Sequence, residues 1–165
     1  MPVFLKILRP SQWIKNLFVI SGFVFAVFDI ERQTSLKNSF LSALLGAVIF
    51  CLISGIIYII NDLHDIEQDR AHPYKKNRPL PAGKITPKFA IIEAITIAII
   101  SILLSIPLGS TFFICITTYL ALQLLYTFLL KRIPICDVIT IAIGFVIRVY
   151  TGTIAAKVRL FPGLR

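Results

Sequence analysis

Residues 39–60 read SFLSALLGAVIFCLISGIIYII without one charge, and the chain runs straight on as Asn61-Asp62-Leu63-His64-Asp65-Ile66-Glu67-Gln68-Asp69-Arg70. About 20 mostly apolar residues in a helix cross the roughly 30 Å hydrocarbon core of a bilayer. The run is long enough to do so, and the sudden change at Asn61 marks a membrane–water boundary. Four more apolar runs extend this reading outward, at residues 14–30, 89–106, 111–130 and 135–156, with a polar loop over 61–88. The fold class expected is all-α: a multi-pass transmembrane helical bundle, one domain over residues 1–165. The first run follows basic residues but lacks a small-x-small cleavage site, so it reads as a retained helix rather than a secretory signal.

Composition agrees with the bilayer as solvent. Of 165 residues, 57% are hydrophobic and 15% charged, with a mean hydropathy of +0.87; soluble domains carry about 25% charge. This excludes a disordered chain, a collagen-like chain and a disulfide scaffold. Cys51, Cys115 and Cys136 are widely spaced in apolar runs and read as small buried hydrophobes. The net charge of +9 sets orientation and attracts anionic head groups or phosphate-bearing ligands; no nucleic-acid partner is expected. Lys6, Arg9 and Lys15, the bases of the 61–88 loop, and Lys131 with Arg132 fall on one side if five helices alternate. The positive-inside rule makes that side cytoplasmic and the protein a multi-pass component of the cell membrane.

Asp62, Asp65 and Asp69 are spaced i, i+3, i+7 and share one face if the helix continues past Ile60. Tyr58, Gly55 and Cys51 lie on the same stripe, while Glu67 points elsewhere. Three like charges on one face repel, so stability does not explain them. They are either a solvated acidic helix end or a site for a hard divalent cation with oxygen ligands. Residues 61–69 hold four acids and no Lys or Arg; residues 70–88 hold six bases and no acid. The positive-inside rule alone accounts for the bases but not for acids beside them. A metal site next to a phosphate site accounts for both.

Two more clusters face the same side. Arg9, Gln12, Trp13, Lys15 and Asn16 precede the first span, with Trp13 read as an interfacial anchor. Tyr126, Leu130, Lys131 and Arg132 follow the fourth. In the fifth, Asp137, Thr140, Gly144, Arg148 and Thr151 form one stripe at helical spacing, and ionisable residues inside a span face the bundle interior. Asp137 and Arg148 lie about 16 Å apart along such a helix, so each needs a partner other than its counterpart. Glu93 is read as interfacial, and His64 and His72 as loop residues.

Together these residues resemble the UbiA superfamily of intramembrane prenyltransferases. The first motif is Asn61-Asp62-x-x-Asp65-x-x-x-Asp69 with Arg70, Arg78-Pro79 and Gly83; the second is Tyr126-x-x-x-Leu130-Lys131, then Asp137. Residues 8–16, Asp69-Arg70-Ala71-His72-Pro73 with Lys76, and the stretch from Asp137 through Arg148 are similar to the decaprenyl-phosphate phosphoribosyltransferase subgroup. The resemblance implies a fold of about nine membrane helices around a central cavity. It also implies Mg2+ held at the first motif, phosphoribosyl diphosphate as donor and a polyprenyl phosphate as acceptor. In the wider superfamily a polyprenyl diphosphate is the donor and an aromatic ring the acceptor, and that alternative stays open. On this basis Asp62, Asp65 and Asp69 are expected to hold magnesium, with Asn61 on the metal or donor. Lys15, Arg70, Arg78 and Lys131 are expected on phosphates, Tyr126 on the leaving group or donor, and Asp137 and Arg148 on substrate. Five spans correspond to the first part of such a fold, and residues 157–165 read as a truncated or frameshifted tail. An inactive fragment, or a half that needs a second polypeptide to supply the missing helices, is therefore a further expectation, as is a small transporter using Asp137 and Arg148.

Overall fold

The computed structural model describes residues 2–29 and 34–158, with backbone alone at Arg132 and Pro134. Ile30 at the end of the first expected span, Arg32, and the tail from Arg159 lie outside the described residues. The described residues form seven α-helices in order: α1 Val3–Ile7, α2 Ser21–Phe28, α3 Leu36–His64, α4 Ile66–Ala71, α5 Pro87–Ser105, α6 Ser110–Phe128 and α7 Pro134–Ala155. A 3-10 helix, Pro10–Val19, leads into α2. Among the described residues five segments are long and apolar enough to cross a membrane: Pro10–Phe28, Leu36–His64, Pro87–Leu108, Ser110–Phe128 and Ile135–Ala155. The all-α, multi-pass expectation is met, with span limits displaced by a few residues.

The first span differs in kind. Ten residues of 3-10 helix rise about 20 Å, where an α-helix would rise about 15 Å. The winding therefore lets a run that looked short in sequence cover a membrane-sized path. Arg9, just before it, sits in the left-handed region at φ 49°, ψ 64°, a conformation that costs a non-glycine residue about 1–3 kcal/mol. It makes the corner between α1 and the 3-10 helix.

Helix α3 is the hub, packing against α2, α5, α6, α7 and the 3-10 segment. Its Ile49, Phe50, Ile53 and Ile57 join Val19, Phe112, Ile116 and Tyr119 in one apolar cluster. Ile56 and Ile59 join Ile7, Leu8, Leu80 and Ile85 in a second, nearer the 61–88 loop. At about 1.5 Å per residue the 29 residues of α3 outreach the hydrocarbon core by about two and a half turns, which carries Asp62 to its edge. The loop itself is folded down: Leu80 and Ile85 are buried, and Gly83 takes a turn at φ 71°. Ser35 and Thr86 cap α3 and α5, their hydroxyls accepting from Asn38 N and Phe89 N at 3.3 and 3.2 Å.

Outward faces are apolar, as a lipid environment requires: Ile92, Ile95, Ile99 and Leu103 of α5 are all about half exposed. Helix α7 buries its polar stripe instead, with Thr140, Arg148 and Thr151 inside. The two threonine hydroxyls donate to the carbonyls of Cys136 and Ile147 four residues back and so need no other partner. Glycines set the closest crossing. A Cβ on Gly152 would lie 2.0 Å from the Val19 carbonyl oxygen, and one on Gly22 would lie 2.1 Å from the Gly152 backbone. Small residues permit such backbone approach between membrane helices.

One sequence expectation changes. The three cysteines are half-buried rather than fully enclosed, because each lies at the margin of a helix face. Glu93, near the start of α5, has its Oε2 buried without a hydrogen-bond partner among the described residues.

Candidate functional site at the mouth and floor of a polar cavity

The three aspartates of the first motif are all buried, and each is held by cations from elsewhere in the chain. Arg9 donates to Asp62, and its guanidinium lies 4.9 Å above the Tyr58 ring. Arg78 Nη1 reaches both Asp62 Oδ1, at 3.3 Å, and Asp69 Oδ2, at 2.5 Å. Lys75 Nζ is 3.5 Å from Asp69. Lys131 Nζ donates to both oxygens of Asp65, at 2.8 and 2.6 Å, and His64 Nδ1 lies 2.7 Å from Asp65 Oδ1. Burial alone would push the Asp65 carboxyl up. The hydrogen bonds from Lys131 and His64, with their charge, outweigh it and hold the group below the usual carboxylate range. A depressed folded value means that the pair stabilises the fold above the ordinary carboxylate pKa. That contribution is lost as pH falls through the lowered value.

The aspartates do not form one triad. Helix α3 ends at His64, and Asp65 leaves helical geometry at φ −99°, ψ 12° before α4 begins. The break separates Asp65, on Lys131, from Asp62 and Asp69, which share Arg78. Among the described residues no three His, Cys, Asp or Glu side chains gather into a group that could hold a metal. The three carboxylates are each held on cations of the chain, and the expected three-carboxylate ligand set is not gathered in this arrangement of side chains. The residues present still fit magnesium, which is typically held by one or two carboxylates plus substrate phosphates. Asp62 and Asp69 are such a pair, hard in donor type and close enough for one arginine nitrogen to touch both.

Below this mouth lies a cavity of about 280 Å³ lined by Lys15, Ser54, Tyr58, Tyr119, Gln123, Tyr126, Phe145 and Arg148, among others. Tyr126 donates to Asp137 Oδ1 at 2.7 Å, which gives Asp137 the separate partner it needed. Arg148 finds its own at the floor. Its Nε donates to Asn16 Oδ1 at 3.0 Å and its Nη2 to Tyr119 Oη at 2.5 Å. The guanidinium lies over the Tyr119 and Phe145 rings. Asn16 also accepts from Ser54 Oγ at 3.3 Å and donates to Cys51 Sγ at 3.4 Å, so one buried amide ties the 3-10 helix to α3 and α7.

The structure thus brings Asp62, Asp65, Asp69, Arg78 and Lys131 to the mouth, with half-buried Asn61 one turn before Asp65. Lys15, Tyr126 and Arg148 line the cavity. Arg70 is elsewhere: its Nη1 bonds Glu67 Oε1 at 2.9 Å on the exposed side of α4. Trp13 is partly internal, donating to the Leu8 carbonyl at 3.1 Å. His72 Nδ1 accepts the Tyr74 and Lys75 backbone N–H groups, a loop role as expected. The sequence assigned no role to Arg9, Lys75, Tyr119 or Gln123. Arg9 had a signal, its place in the basic segment before the first span; Tyr119 and Gln123 sit at i, i+4, with Tyr126 one turn further, on one face of α6.

Comparison with known proteins places this geometry. The UbiA prenyltransferase family model matches residues 17–164. The decaprenyl-phosphate phosphoribosyltransferase of Mycolicibacterium smegmatis is 36% identical over 94% of this chain and 49% of its own length. That of Corynebacterium glutamicum is 35% identical over 94% and 47%. The chain therefore spans about half the length of the curated relatives it matches. The fold is that of a UbiA homolog from Archaeoglobus fulgidus bound to GPP and Mg2+, with a TM-score of 0.74 at 24% identity, over 96% of this chain and 55% of that one. The relatives are transferases, the apolar helices are those of an integral membrane protein, and the chain belongs to the UbiA prenyltransferase family.

Proposed function

We propose that the chain serves magnesium-dependent transfer of a phosphoribosyl group from phosphoribosyl diphosphate to a polyprenyl phosphate, at the cytoplasmic face of the cell membrane. The observation that carries this reading is the charge arrangement at the mouth. Three buried carboxylates are matched by Arg9, Lys75, Arg78 and Lys131. A diphosphate arriving with its cation can take these side chains while the carboxylates take the metal, so no buried charge is left unmatched.

Bound there, Mg2+ would supply electrostatic stabilisation of the departing diphosphate. Asp62 and Asp69 would hold it, and Asp65 would join once Lys131 moves to a phosphate oxygen. Arg78, Arg9 and Lys131 would neutralise the growing charge on the leaving group. Tyr126, fixed by Asp137, would orient the donor from the cavity wall. The acceptor's phosphate oxygen is already an anion, so its bond to the sugar's C1 forms as the C1–diphosphate bond breaks, and no general base is required. The names of the 35–36% identical relatives support this donor and acceptor.

A second reading is polyprenyl transfer to an aromatic acceptor; the GPP and Mg2+ bound to the structural relative support its allylic diphosphate donor. Membranes carrying the chain, given labelled phosphoribosyl diphosphate and a polyprenyl phosphate, should form a labelled lipid that disappears with a chelator. Label transferred only from an allylic diphosphate would favour the second reading. Product formed only when a second polypeptide with further helices is co-expressed would support a split enzyme. No product under any of these conditions would overturn both.

A further inference from the structure

Arg148 is a cation inside a membrane-spanning helix, buried, and its hydrogen-bond partners Asn16 and Tyr119 are neutral. Among the described residues no carboxylate pairs with it. A buried charge of this kind is costly without an anion, and the second arm of the guanidinium points to where one would sit. A Cβ built on Gly144 would lie 3.5 Å from Arg148 Nη1 and 3.3 Å from Gln123 Nε2. Two nitrogen donors from residues that line the cavity thus converge over a residue with no side chain. Neither donor has an acceptor among the described residues. Lys15, on the same cavity, forms no ion pair among the described residues.

We infer that Arg148, Gln123 and Lys15 form a second anion subsite, for a phosphomonoester at the far end of the same donor whose diphosphate is held by the aspartates. Position selects this occupant. Ser54 shares the Asn16 acceptor with Arg148 and lies eight residues before Asp62 on α3, a drop of about 12 Å. A pentose with a diphosphate at C1 and a phosphate at C5 bridges such a gap. A lipid phosphate attacking C1 would sit between the two ends, and an apolar prenyl tail would leave Arg148 facing hydrocarbon. The inference rests on the proposed phosphoribosyl reading and names the part of the site that reads the donor's 5-phosphate.

The test is calorimetric, on the full chain in lipid nanodiscs, with three probes: inorganic diphosphate plus Mg2+, ribose 5-phosphate, and geranyl phosphate. Arg148→Gln should weaken ribose 5-phosphate by about tenfold or more while diphosphate affinity stays within about twofold, the size of one charge-assisted pair. Gly144→Ala, which fills the cradle without removing a charge, and exposed Lys15→Gln should each weaken it about threefold or more. These two variants keep the test valid if Arg148→Gln fails to fold. Ribose 5-phosphate binding that all three variants leave intact overturns the subsite while the proposed function stands. So does loss of geranyl phosphate in its place, which would make the floor an acceptor site. Wild-type protein that binds neither diphosphate nor ribose 5-phosphate overturns the reading and the subsite together.

Discussion

The two ends of the cavity solve the problem of buried charge in opposite ways. At the mouth, anions and cations are interleaved: Asp62 has two arginines, Asp69 an arginine and a lysine, and Asp65 a lysine and a histidine. At the floor one cation, Arg148, is satisfied by an amide oxygen, a phenol oxygen and two ring faces. Partners at the mouth can be exchanged one for one when an anion and a cation enter together. The floor has no anion to release and can only gain one. The mouth is therefore built to swap and the floor to receive.

The largest effect is expected where the swap loses its carboxylate. Asp62→Asn should lower phosphoribosyl transfer on the order of a thousandfold, the upper range for losing one transition-state charge contact. Undiminished turnover in the membrane assay would remove Asp62 from the metal pair. Next comes the crossing that holds the floor together. Gly152→Ala puts a Cβ against the Val19 carbonyl, three residues from Asn16, and should cost about 3 kcal/mol through overpacking. A melting temperature in detergent equal to that of the parent would show that the approach of the 3-10 helix to α7 is looser than described.

The third expectation sets the two ends against each other. Asn16→Ala takes from Arg148 its amide acceptor and should cost about 2 kcal/mol, the penalty of leaving a buried charged donor unmet. Arg9→Gln takes a cation from Asp62 but leaves Arg78 on it, and should cost less, about 1 kcal/mol, because the buried carboxylate keeps a partner. Equal losses, measured by denaturant unfolding in the same micelles, would erase the distinction between an exchangeable and a fixed network.

How much of this could be read beforehand follows from how far apart the partners are in sequence. The spans depend on local hydropathy and length, and their limits shifted by only a few residues. The Asp62–Asp65–Asp69 spacing is local too. The break at Asp65 is not, since the Lys131 that engages its carboxylate lies 66 residues away. The 132-residue separation of Asn16 and Arg148 puts the floor beyond any pattern argument, although the inward stripe of α7 and the need of Arg148 for its own partner were legible. The winding of Pro10–Val19 had only Pro10 to announce it, and proline at a first position suits an α-helix equally.

The smallest expected effect concerns the one motif residue that the fold turns away. Arg70 follows Asp69 directly and looks like part of the same machinery, yet successive residues on a helix differ in direction by about 100°. Asp69 turns inward to Arg78, so Arg70 turns outward to Glu67, whose side chain is 80% exposed. An exposed pair of this kind contributes between nothing and about 1 kcal/mol. Arg70→Gln should accordingly change the transfer rate and the melting temperature by less than about twofold and 2 °C. Arg78→Gln, which removes the bridge between two buried carboxylates, should lower the rate by at least about tenfold. If Arg70→Gln proved as damaging as Arg78→Gln, α4 would have to turn over when the diphosphate binds, and the mouth would be a moving part rather than a fixed frame with exchangeable partners.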